Sequence, residues 1–130
     1  DVNIAVKQGS VETIIDPTVL AYPFELYEVV MSSSEGTETD AIPQNEDFDL
    51  EVRIRKLKDY SEQPTLFIAT YNELNSLTTI KAVELTEKII NRGFCDVHIE
   101  KMNNSISSIK VFIWNSLSNM SPLAENYTIN

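Results

Sequence analysis

Glycine is scarce in this chain. Only three occur in 130 residues, too few for the repeated glycine turns of a β-helix or a propeller. One cysteine, Cys95, and one histidine, His98, leave no internal disulfide and no cysteine-built metal site. A Ser-His-Asp triad would have to use His98, and no local motif offers it a serine partner. No nucleophile elbow and no phosphate-binding glycine loop is found either. Basic residues number ten against twenty acidic ones, a net charge of −10, and no Lys/Arg cluster reverses that balance locally. Such a field repels nucleic acid and anionic membrane surfaces. No run of about 18 apolar residues exists, so no membrane insertion by a helix is expected. Twenty carboxylates are enough for a glycosidase pair, but nothing in the pattern singles out two with divergent environments. We therefore expect no enzyme and no cofactor.

What is present is β-pattern. Apolar residues make up 42% of the chain, enough for a conventional core, and the length suits one domain over residues 1–130. The chain begins with Asp1 and lacks a basic stretch followed by an apolar one, so we expect a mature fragment of a longer protein. The clearest period-two segment is residues 48–55: Phe48, Leu50, Val52 and Ile54 alternate with Asp49, Glu51, Arg53 and Arg55. That is a half-buried antiparallel strand, its charged face open to weak cross-strand ion pairs.

Further strands are expected at 65–71 and 77–85, joined as a hairpin through the turn-like Asn72–Ser76 stretch. Residues 82–91, with Glu84, Glu87 and Lys88, alternatively form a helical turn or two. Arg92-Gly93 breaks the chain, and 94–102 follows as a strand with Cys95, Val97 and Ile99 inward. The turn at Asn103-Asn104-Ser105 then leads to residues 106–114 as its partner strand, and 123–129 close the domain as an edge strand. Residues 1–45 are less regular, with β-prone stretches at 2–6, 10–15 and 25–31. Residues 32–45 read as a polar loop, long enough to be mobile. Residues 46–130 are the best-defined part. Several short strands without βαβ alternation indicate an all-β fold: a single antiparallel β-sandwich of about seven strands. The antibody Cys…Trp…Cys spacing is absent, so the expected class is immunoglobulin-like or fibronectin-III-like.

Candidate sites are few. Cys95 lies in phase with Val97 and Ile99, which reads as a buried, inert thiol. His98 shares a strand face with Asp96 and Glu100, a metal-ligand trio in principle, but a single histidine makes a solvated polar face the better account. Glu46, Asp47, Asp49 and Glu51 are the best calcium candidates; without a turn glycine they read as a solvated loop entering a strand. No metal site is expected. The aromatic residues pose a sharper question. In residues 109–114, Ile109, Val111 and Ile113 share one face, and Lys110, Phe112 and Trp114 the other. A sandwich strand needs only one buried face. Either something covers Phe112 and Trp114, or they form an exposed patch with Tyr71 that stacks on a sugar ring or a partner domain.

Two motifs carry a resemblance. One is Leu66-Phe67-Ile68-Ala69-Thr70-Tyr71-Asn72-Glu73 followed by Leu77. The other is Ile109-Lys110-Val111-Phe112-Ile113-Trp114-Asn115-Ser116-Leu117 with Met120 and Pro122-Leu123. Over residues 48–129 they resemble fibronectin-III/immunoglobulin-like accessory modules of Gram-positive, especially clostridial, secreted and cell-surface proteins. The resemblance implies an extracellular or cell-surface bacterial location and neighbouring domains of the same polypeptide as partners. Its motif positions look structural, so it brings no catalytic residues. It implies a non-catalytic accessory or spacer module. The alternative is a carbohydrate-binding module that stacks polysaccharide on Trp114, Phe112 and Tyr71.

Overall fold

Alternating apolar residues build two antiparallel sheets that face each other. The computed structural model describes residues 22–103, 105–115 and 121–130; the β-prone stretches at 2–6 and 10–15, and Leu117 and Met120 of the second motif, lie outside them. The elements are β1 (Phe24–Ser33), β2 (Glu38–Thr39), β3 (Phe48–Lys56), β4 (Thr65–Tyr71), β5 (Leu77–Glu84), α1 (Glu87–Arg92), β6 (Phe94–Ile99), β7 (Ser108–Trp114) and β8 (Tyr127–Ile129). One sheet has the order β2-β1-β3-β6 and the other β5-β4-β7-β8. This is an all-β sandwich of eight strands among the described residues, the two-residue β2 included.

In β3, Phe48, Leu50, Val52 and Ile54 are buried, as their spacing requires. Opposite them, Leu66 and Ile68 of β4 and Ile109, Val111 and Ile113 of β7 complete the interior. Leu85, Cys95, Val97 and Ile99 close it on the α1 and β6 side. The outer face of β3 carries the expected ion pairs: Arg53 with Glu28 and Glu51, and Arg55 with Glu25. Strand β1 departs from simple alternation. A bulge between Leu26 and Glu28 makes Tyr27 the extra residue, so the inward set changes from Phe24 and Leu26 to Val29 and Met31. Tyr27 turns outward beneath the Arg55 guanidinium, 4.4 Å from its ring centre.

The stretch around residue 85 divides between the two expected conformations. The strand runs to Glu84, and a single short helix then occupies Glu87–Arg92. Thr86 caps its start, its side-chain oxygen accepting the Ile89 N–H. Gly93 ends it at φ 91°, donating its N–H to the Ile89 carbonyl. The expected polar loop at 32–45 is partly regular: β1 continues to Ser33, a turn through Gly36 returns the chain, and β2 pairs with Met31 and Ser32.

One expectation is overturned. Residues 94–102 and 106–114 do not form a hairpin. Strand β6 pairs with β3, and β7 pairs with β4 and β8, in the opposite sheet. Alternation fixes which face of each strand is buried but not its neighbour, and in either sheet the apolar faces of β6 and β7 reach the same interior. Residues 100–107 cross between the sheets.

The sandwich has two distinct ends. At the helix end lie Phe24, Lys56, Thr65 and Trp114, linked by the Phe24 N–H to the Leu123 carbonyl and the Leu123 N–H to the Ile113 carbonyl. At the loop end lie Ser33, Phe48, Tyr71, Ser108 and Ile129.

Candidate functional site

Register places the aromatic residues before any contact is considered. In the antiparallel pairing of β4 with β7, outward residues meet in the order Thr65–Trp114, Phe67–Phe112, Ala69–Lys110 and Tyr71–Ser108. Each rung faces away from the interior, because Leu66–Ile113, Ile68–Val111 and Thr70–Ile109 face inward. The outer face therefore bears a second, smaller apolar cluster of Phe67, Ala69 and Phe112, with Tyr71 and Trp114 packed against it. The Phe67 and Phe112 rings stack at 5.4 Å. The Trp114 indole lies against both, 5.3 Å from Phe67 and 4.4 Å from Phe112. The Lys110 ammonium sits 5.2 Å from the Tyr71 ring centre, a diagonal cation–π contact.

The three aromatic residues singled out from sequence thus share one face, but not one environment. Phe112 is only 7% exposed and Phe67 only 3%; they form the floor of the cluster. Trp114 and Tyr71 are half-buried and stand at opposite ends of the stripe, three rungs apart. Any ligand that stacks here must use those two rings, with Phe112 supporting Trp114 from below. Phe67 escaped the sequence reading because its relevance comes from register: it stands 45 positions from Phe112 in the chain and directly across from it in the sheet.

A second constellation surrounds His98. The Asp49–His98 pair is directly cross-strand, and His98 Nδ1 lies 2.8 Å from Asp49 Oδ1. The other ring nitrogen, Nε2, lies 3.2 Å from Asp47 Oδ2. The second oxygen of Asp47 accepts the Lys101 N–H at 2.7 Å. That backbone bond, and then His98, hold the Asp47 carboxyl below its ordinary range. Bonds to Asp49 and then Asp47 raise the His98 imidazole above its own.

These pairings account for the metal-ligand candidates. His98 turns across the sheet to Asp47 and Asp49 instead of along its own strand to Asp96 and Glu100. Glu46 accepts from the Ser34 hydroxyl, and Glu51 from Arg53. Of the four acidic groups considered for calcium, Asp47 and Asp49 share His98, while Glu46 and Glu51 turn to partners of their own. Among the described residues, no group of three or more His, Cys, Asp or Glu is arranged to hold a metal ion. Cys95 is buried, and that burial pushes its thiol up. No helix among the described residues is long and apolar enough to cross a membrane.

Comparison with known proteins adds no family. No family model matches the chain, and no curated protein matches it.

Proposed function

We propose that this chain is a non-catalytic accessory or spacer module of a larger secreted or cell-surface bacterial protein, where it separates or positions neighbouring domains. One observation carries the reading. The described chain enters the sandwich at the helix end, through Phe24, and leaves β8 at the loop end, beside Ile109. Phe24 bonds to Leu123, which bonds to Ile113, and Ile129 pairs with Ile109 four residues further along β7, so the two points are separated along the strands by on the order of 13 Å. Neighbours attached through such points leave the sandwich from opposite ends.

The strand order supports the fibronectin-III-like variant of the sandwich. Setting aside the two-residue β2, the fourth strand, β5, stays beside β4 in the second sheet. In antibody constant domains the corresponding strand joins the first sheet. The resemblance of the two motifs to those of Gram-positive modules supports the extracellular setting.

The aromatic stripe favours a second reading, a carbohydrate-binding module in which Trp114 and Tyr71 stack on sugar and Lys110 approaches its hydroxyls. A glycan panel separates the two readings, because Trp114 is the only tryptophan in the chain and reports its own surroundings. A spacer leaves its emission unmoved by every polysaccharide. A saturable shift that Trp114→Phe abolishes would replace the spacer reading with the binding one.

A further inference from the structure

The two carboxylates on His98 impose a condition on its protonation state. A carboxylate is acceptor-only, so each of these bonds needs an N–H on the ring, and a neutral imidazole has one. Satisfying Asp49 at 2.8 Å and Asp47 at 3.2 Å together requires the imidazolium. When the ring loses a proton, the shorter cross-strand bond to Asp49 keeps the remaining N–H. The bare Nε2 lone pair then faces a carboxylate oxygen of Asp47, which is repulsive.

We propose that His98 is a proton-gated tie at the loop end of the sandwich: as an imidazolium it holds Asp47 and Asp49 together, and on losing a proton it releases Asp47 and, with it, the amide of Lys101. Asp47 is the connecting piece. One of its oxygens takes the ring and the other takes the Lys101 N–H, at the start of the crossing from β6 to β7. That crossing has a second anchor, which does not titrate. Gln44 accepts the Ile106 N–H and donates to the Ile106 carbonyl, both at 2.8 Å. Deprotonation therefore frees the first part of residues 100–107 and leaves Ile106 fixed.

The surrounding charges favour this behaviour. Strand β3 and the residues before it present Asp47, Asp49 and Glu51, and β6 with its continuation presents Asp96, Glu100 and Lys101. From β5, the Lys81 ammonium donates to the His98 carbonyl at 2.6 Å. Acidic groups outnumber the two lysines, which stabilises the ring proton. A cleft of about 340 Å³ between the β5 and β6 edges, lined by Thr79, Lys81, His98 and Met102, opens the ring to solvent.

Nuclear magnetic resonance of the full chain between about pH 5 and 8, the range in which histidine titrates, tests the proposal. The His98 ring and the Lys101 amide should titrate with one shared midpoint above the ordinary histidine value of 6.5. In His98→Gln the Lys101 amide should no longer move over that range, and in Asp47→Asn the His98 midpoint should fall. Both substitutions are at exposed side chains, so the fold survives them. A His98 midpoint at or below 6.5, a Lys101 amide that stays still while His98 titrates, or a Lys101 titration that persists in His98→Gln would overturn the proposal.

Discussion

At position 112 a phenylalanine points away from the sandwich interior and is nevertheless buried, because Phe67 stands directly opposite and Trp114 closes over both. Its role is therefore packing. Phe112→Ala should cost about 3 kcal/mol, in the range for a large aromatic removed from a packed site, read as a lowered urea midpoint at unchanged slope. A fully exposed ring would give almost none of that loss. Thr70 is the one buried polar residue among those described. Its hydroxyl lies 2.7 Å from the hydroxyls of both Thr78 and Thr79. Thr70→Val keeps the volume and deletes this junction, for an expected loss of about 1 kcal/mol, since both partners on the outer strand can turn to water. Cys95, buried and with its thiol pushed up, should resist a thiol reagent until the protein unfolds. Rapid labelling of the native chain would contradict its placement.

Helix α1 shows how a short element depends on its ends. Six residues are too few to be stable alone, and the segment is held by the Thr86 cap, the Gly93 turn and the Ile54 N–H that donates to the Gly93 carbonyl. A Cβ at Gly93 would meet the nearest atom, the Ile54 carbonyl oxygen, at an ordinary 3.8 Å. The cost of Gly93→Ala is therefore conformational, about 1 kcal/mol from the left-handed backbone. Thr86→Ala should cost a similar amount through the lost cap, and thermal melts of both variants check this.

The loop-end tie has its own pH signature. Asp47 titrates below its ordinary 3.8, so its contribution is present above that value and is lost as pH falls through the folded value. His98 titrates above 6.5, so its contribution is complete below 6.5 and is lost as pH rises through the folded value. Stability from this cluster should therefore be greatest between 3.8 and 6.5, and His98→Gln should flatten the alkaline side of the profile. Strand identity was legible wherever alternation is local: the inward residues of β3 and β7 could be read directly. Pairing was not. The expected hairpin of residues 94–102 with 106–114 followed from adjacency in the chain, whereas β6 pairs with β3 and β7 with β4 and β8. The same limit hid Phe67 behind Phe112, and Asp47 and Asp49 behind His98. Contacts between residues some 45 to 51 positions apart depend on register across a sheet, which no local pattern encodes.

On the scale of the whole molecule, the outer face of β4 and β7 and the points where the described chain enters and leaves the sandwich are separate features with separate consequences. The aromatic face is mostly consumed by its own packing, leaving Trp114 and Tyr71 as its half-exposed limits. Phe24, where the described chain enters the sandwich, and Ile129, where β8 ends, lie by contrast at its helix end and its loop end. A spacer needs that geometry and little else from its surface. The central claim, that the chain is a spacer within a larger protein, is tested most directly in that proposed parent, by exchanging the sandwich for an unrelated one of similar length whose chain also enters and leaves at opposite ends. If the chain is a spacer, the parent's activity or attachment should be retained after the exchange and impaired when the sandwich is deleted outright. Loss of function on exchange equal to that on deletion would show that particular side chains of this module, and not its span, do the work.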